Sequence, residues 1–324
     1  MMRAAFALTS GMLAAVASIA LALWFGSVAL TPGQIAQAIF SSAPGMEHDI
    51  IWQLRLPRAL AAFACGGLLA FAGVLLQALL RNALADSYIL GVSGGASLGA
   101  LSALALGVSA AAMNVAAFIG ALAALLIVFG AAKVRSGGGW NLYRLLLSGV
   151  VLSAGFSALT SLILVSAPQA QVKGMLFWLM GDLSYADNPA PALLILLLLT
   201  LSAVAQAVRL DLLGLGDLKA RSLGAGVAAM QGAVFFAAAL ATVAAVMLGG
   251  AIGFVGLMMP HAVRLLGFTR HRLLIPLSVL FGGSFLTLAD TCARTLAAPQ
   301  QLPVGIFTAL IGVPVMLWLL GRKS

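Results

Sequence analysis

Arg55 and Arg58 flank Pro57 in IWQLRLPRALAAFA (51–64), at the entrance to a long apolar run. Arginine is costly inside a bilayer, so such a pair needs partners or an exit to water. Three residues apart, the two can face one way on a helix. Pro57 suits a first helical turn, where its missing N–H costs nothing. Arg294, in DTCARTLAAPQQLP, closes another apolar run. Two chemistries fit this set. The guanidinium groups can snorkel to lipid headgroups, or they can receive acidic groups of a soluble partner.

A second polar stretch is RLDLLGLGDLKARSLGAGV (209–227), too long for a simple turn. Asp217 can cap a short helix that carries Lys219 and Arg221, and Gly224 can end it. Leu215, Leu218 and Leu223 give it an apolar aspect. Such a helix can lie in the membrane interface or dock in a groove of a partner. Hydrolytic or redox chemistry has no constellation to work with. His48, His261 and His271 fall in different segments, whereas a metal site wants ligands at helical spacing or in paired clusters. No GxxxxGK[ST] phosphate loop occurs. Catalytic and metal-ligating residues are therefore expected to be absent. Any ATP driving this chain is hydrolysed by another.

The elements that position these residues follow from composition. Of 324 residues, 63% are hydrophobic and 8% charged, against roughly 25% charged in a soluble domain. This is the composition of a polytopic membrane protein. Runs such as ALLILLLLTLSAVAQAV (192–208) do not alternate, so the spans are helices and not barrel strands. Apolar stretches of about 20 residues suit a hydrocarbon core about 30 Å thick. Ten are expected: 7–30, 57–80, 88–107, 112–132, 142–166, 190–208, 227–248, 251–266, 273–293 and 303–320. The first is too long for a secretory h-region and is read as retained. VKGMLFWLMG (172–181) is too short to span and reads as re-entrant or interfacial. The expected fold is all-α, a single transmembrane domain over 1–324.

Charge orients it. With the N-terminus inside, thirteen of the 17 basic residues lie at inner ends and loops, among them Arg81, Lys219, Arg264 and Arg270. Four lie outside: Arg55, Arg58, Lys173 and Arg294. This is the positive-inside pattern, with both termini cytoplasmic. It also accounts for the net charge of +9 without nucleic acid. None of the eight acidic residues falls at mid-span, which speaks against an ion-coupled carrier. Cys65 and Cys292 read as core packing. Gly91, Gly95 and Gly99 read as a close-packing stripe. CGGLLAFAGVLLQALLR (65–81) matches LGGAIGFVGLMMPHAVR (248–264) at an offset of 183, with five identities including Gly73/Gly256 and Arg81/Arg264.

Five stretches carry a resemblance: RLPRALAAFACGGLLAFAGVLLQALLRNALAD (55–86), YILGVSGGASLGA (88–100), LGLGDLKARSLGAGV (213–227), GGAIGFVGLMMPHAVRLLG (249–267) and LADTCARTLAAPQQLPVGIFTALIGVPVMLWLL (288–320). Running nearly end to end, they resemble the FecCD-type permeases of type II ABC importers for vitamin B12, haem and iron–siderophore complexes. The resemblance implies ten membrane helices per subunit, a homodimer with its pathway on the two-fold axis, and a bacterial inner membrane. It implies that Arg55, Arg58 and Arg294 receive glutamates of a periplasmic binding protein. Leu215, Asp217, Leu218, Lys219, Arg221, Leu223 and Gly224 would form a coupling helix resting on a cytoplasmic ATPase dimer. ATP and Mg would sit on that ATPase, with no cofactor on this chain. The pathway would run along 142–166 and 172–180, with Lys173, Met175, Phe177 and Trp178 in its lining. Ala83 replaces a proline common in the family.

Lys173 can draw in the propionates of haem or an anionic ferric siderophore, or simply face headgroups. Met175, Met180, Met258 and Met259 read as flexible packing and not as an iron relay. Haem or another iron chelate is the expected cargo, vitamin B12 the alternative. An ion-coupled carrier and a membrane-embedded enzyme rank behind both.

Overall fold

The computed structural model describes residues 2–40, 45–133, 142–184, 186 and 188–321; among these there is no strand. The chain opens with α1 (Met2–Trp24), then α2 (Pro32–Phe40) and α3 (Met46–Asp49). A π-helical turn, Ile50–Arg55, feeds α4 (Leu56–Leu80). There follow α5 (Val92–Ala105), α6 (Ala110–Lys133), α7 (Leu142–Ser166) and α8 (Gln169–Met180). Next come α9 (Ala190–Ala205), α10 (Ala207–Gly214) and α11 (Asp217–Ser222). The last four are α12 (Val227–Gly249), α13 (Val255–Leu265), α14 (His271–Thr295) and α15 (Val304–Gly321).

The centre of the bundle is α4. It packs against α14, α12, α13, α9 and α1, and 89% of the apolar stretch containing it is buried. α7 is the opposite case at 11%, with Leu147, Val150, Val151 and Leu162 facing out. Small residues make the centre possible, because lipid tails are as apolar as leucine and helices associate by close packing. A Cβ on Gly95 of α5 would lie 2.3 Å from the Gly120 carbonyl oxygen of α6. At Gly95 and Gly99 the glycine stripe is therefore helix packing, as its spacing suggests, whereas Gly91 precedes α5 at φ +69°.

Each of the ten expected segments contains a helix, but ten crossings do not follow. Among the described residues six helices are long and apolar enough to cross a membrane, and a seventh if α9 and α10 count as one broken span bent by 68°. α5 and the Val304–Trp318 part of α15 are shorter, and α13 has 11 residues. The first helix is also displaced, ending at Trp24 where the apolar run continues to residue 30. The guanidinium of Arg55 lies against Gly26 and takes up the carbonyls of Leu23 and Trp24 in the final turn of α1.

The sequence repeat is not a repeat of structure. Residues 65–81 lie in one continuous helix. Their counterparts at 248–264 cross a break, with Gly250 at φ +67° and Phe254 at φ +70°. Cys65 is buried and Cys292 exposed, so core packing holds for the first and fails for the second.

Candidate functional site: a cationic mouth and an opposite leucine shelf

The π turn and the first turn of α4 place Arg55 and Arg58 on different neighbours. Arg55 is buried and points back to α1. Its Nη1 donates to the carbonyls of Leu23 (2.5 Å) and Trp24 (3.0 Å), and its Nη2 to that of Val28. These include carbonyls left unpaired at a helix C-terminus, where a cation is favoured. Arg58 points across to α14. Its Nε lies 3.0 Å from Asp290 Oδ2 and its Nη2 2.9 Å from Oδ1. Nη1 donates to Gln301 Oε1 (2.8 Å) and Ser184 Oγ (3.2 Å).

Arg294 is buried on the far side of the same carboxylate. Its Nε is 3.1 Å from Asp290 Oδ2, close enough for an ion pair but not aligned for a hydrogen bond. Its Nη2 approaches the Ala22 carbonyl at 3.4 Å. Asp290, itself 1% exposed, thus neutralises two arginines. The structure brings the three arginines to one end of the bundle but corrects two expectations. Arg55 and Arg58 do not face one way, because their carbonyl and carboxylate partners lie on opposite sides of the start of α4. Arg55 and Arg294 are not exposed, because both guanidinium groups are committed within the chain.

Beside this cluster lies a cavity of about 1340 Å³ whose wall includes all three arginines, Lys173, Phe177 and Trp178. The Lys173 ammonium stands 5.8 Å above the centre of the Phe177 ring, within cation–π reach. Met175 does not join them. It is fully buried, since it falls on the inward face of α8.

The opposite end of α4 carries the second site. α9 breaks at Gln206, and α10 and α11 run on as two short helices. Leu215, Leu218 and Leu223 are all exposed, Leu218 by 86%. Lys219, Arg221 and Gly224 are also exposed, while Ala220 is buried beneath them. Gly224, at φ +80°, follows the last turn as expected of a helix-ending glycine. Asp217 does not act as the expected cap: Gly216 takes that position. The Asp217 carboxylate instead meets Arg81 at 2.5 Å and accepts from Gln231 Nε2 of α12 at 3.3 Å. The shelf is thereby tied to α4 and α12. A further tie, from α10 to the start of α14, runs through Asp211 to His271 Nδ1 (2.6 Å) and its backbone N–H (3.1 Å).

A family model for the FecCD transport family matches residues 13–322. The chain belongs to the FecCD transport family. It is 37% identical over 274 residues to the vitamin B12 import system permease protein BtuC of Escherichia coli strains E24377A and SE11, covering 83% of each chain. It is also similar to a solved structure described as an inward-facing conformation of a metal-chelate type ABC transporter. That match has a TM-score of 0.84 at 30% identity and covers 99% of this chain and 100% of the other. PsaBC from Streptococcus pneumoniae, in complex with Fab, shares the fold at a TM-score of 0.59 and 18% identity. As a FecCD-family chain this is an all-helical, multi-pass transport permease and not an enzyme.

Asp290, Gln301 and Ser184 escape the sequence reading of this FecCD-family site. LADTCAR places Asp290 four residues before Arg294, a helical ion-pair spacing, and that signal was available. Nothing in the sequence links Ser184, Asp290 or Gln301 to Arg58, which lies 126, 232 and 243 positions away.

Proposed function

We propose that this chain is the membrane-spanning subunit of an ATP-driven importer. It would pass a large metal chelate from a periplasmic binding protein to the cytoplasm, as a homodimer seated on an ATPase dimer in the inner membrane. One observation carries the reading. The same buried helix, α4, holds the cationic mouth at one end through Arg58 and the leucine shelf at the other through Arg81. Acidic groups of a binding protein suit the mouth, where opposite charge guides approach and orientation. An apolar cleft on an ATPase suits Leu215, Leu218 and Leu223. Closure of the ATPase would move the shelf, and α4 would convey that motion to the mouth as alternating access. The exposed apolar face of α7 suits contact with the second copy and with lipid.

Two cargo readings stand. Haem or another iron chelate is favoured by Lys173 and Phe177, which offer an ammonium and an aromatic ring to an anionic macrocycle at the cavity wall. Vitamin B12 is favoured by the likeness to BtuC, the permease of a vitamin B12 import system.

Reconstitution tests both. Proteoliposomes carrying this chain and its partner ATPase, with ATP trapped on the ATPase side, would be given the binding protein loaded in turn with haem, a ferric siderophore or cobalamin. ATP-dependent accumulation of one ligand is expected. Uptake that follows an imposed ion gradient and ignores ATP would overturn the importer reading. Lys173→Glu is expected to slow uptake of an anionic chelate more than that of cobalamin, and equal slowing would remove the iron-chelate argument.

A further inference from the structure

Arg58 ties three separate walls of the mouth cavity to one another. It sits on α4. Its two anchors at 2.8–3.0 Å are Asp290, on α14, and Gln301, in the segment after α14. A third contact reaches Ser184, in the segment after α8. Ser184 Oγ is itself 3.1 Å from Gln301 Oε1 and 2.6 Å from Asp182 Oδ1. Arg58, Asp182, Ser184 and Gln301 all line the cavity, while Asp290 stands behind it. Four of the five N–H donors of Arg58 are engaged, so an incoming carboxylate can take this guanidinium in bidentate fashion only by displacing one of the ties.

We propose that Asp290 is a positioning residue: with Arg58 it forms a latch that holds the cavity walls together, and a carboxylate of a docking protein opens the latch by taking Arg58 over. The exchange is chemically even. One bidentate carboxylate–guanidinium pair replaces another, and Asp290 keeps Arg294 as counter-ion at 3.1 Å, so the buried carboxylate is never left uncompensated. The walls at 182–184 and 299–303 lose their common tie to α4. Docking energy is thereby converted into widening of the cavity rather than into contact only. The docking step rests on the proposed function. The latch rests on geometry within this one chain.

The two are separable by experiment. In the full-length chain with Cys292→Ser, spin labels are placed at exposed Gln53 and Gln300, on either side of the cavity. Distances are measured by pulsed electron resonance in nanodiscs without any partner. A single short distance is expected for the parent. Asp290→Asn should add a longer population, and Asp290→Glu should return most of the short one. Arg58→Gln leaves the Asp290–Arg294 pair intact, so it guards against misfolding of the first variant; it should show the same lengthening. Unchanged distances in Arg58→Gln would overturn the latch. Adding the binding protein to the parent should reproduce the longer population. If the variants lengthen but no binding protein does so, the latch stands and the exchange by docking falls.

Discussion

Gly73 of α4 and Gly256 of α13 meet backbone to backbone: a Cβ on Gly73 would lie 1.9 Å from the Gly256 carbonyl oxygen. Backbone cannot yield as a side-chain tip can. Gly73→Ala gains about 0.5–1 kcal/mol of helix propensity, but overpacking costs about 1–3 kcal/mol, so the clash decides. A lower Tm of the purified permease is expected. Gly155→Ala on α7, where nothing lies within 4 Å, should leave Tm level or raise it. Equal behaviour of the two variants would contradict the packing described.

Arg55 is expected to matter for folding in a way Arg58 does not. Arg55→Lys keeps the charge but replaces a fork by a point, and an ammonium cannot span the carbonyls of residues 23, 24 and 28. Each charged hydrogen bond lost costs about 1.5–3 kcal/mol. Thermal unfolding should show a clear drop for Arg55→Lys and a smaller one for Arg58→Lys, which retains Asp290 within reach. The reverse order would place Arg55 outside its carbonyl cradle.

The Arg81–Asp217 pair is more than a third exposed on each side, and such pairs contribute about 0–1 kcal/mol. Asp217→Asn should therefore leave Tm almost unmoved. Its effect is expected in transport, as more ATP consumed per chelate delivered by the reconstituted complex. A large loss of Tm with normal coupling would make the pair structural.

Leu218 projects fully from the shelf. Removing a leucine that becomes buried in a partner costs about 1.5–3 kcal/mol. Leu218→Asp is expected to weaken ATPase association roughly tenfold or more, measured by co-purification at graded ATPase concentrations, with the permease still folded. Undiminished association would move the ATPase contact elsewhere.

Asp86, in the connection after α4, has its carboxyl pushed up by burial, against a smaller downward pull from the Ser87 N–H and hydroxyl. The folded value thus lies above the unfolded 3.8, and folding favours the protonated form. Stability is full below the unfolded value, falls as pH rises through the interval to the folded one, and remains lower above it. Asp86→Asn keeps an acceptor for the Ser87 N–H and removes the charge. A Tm at neutral pH equal to or above the parent, with a flatter profile from about pH 4 upward, is expected from scanning fluorimetry.

What could be read beforehand was whatever is periodic or local. Apolar runs located a helix in every expected segment, and the Gly95–Gly99 spacing announced a close helix pair. Leu215, Leu218 and Leu223 proved exposed because a short polar insertion leaves its leucines no core to enter. What could not be read was pairing across the chain. Arg55 looks as exposed as Arg58 until the end of α1 is folded against it, and Met175 looks like its neighbours until α8 is turned. The ten expected crossings are not confirmed, for a related reason. Apolar content says that a segment is buried, and a segment buried in protein, such as α13, needs no particular length.

The burial of α4 also bears on the order in which the chain can be assembled. Its 25 residues leave the ribosome long before α12 and α14, the helices that enclose it. For that interval the bilayer must cover a helix whose close-packing glycines, Gly66, Gly67 and Gly73, offer lipid little to hold, and whose Gln77 has not met Arg264. Maturation therefore waits on synthesis through residue 295. A chain shortened before that point should be cleared by membrane proteases as an orphan and not accumulate as a smaller bundle.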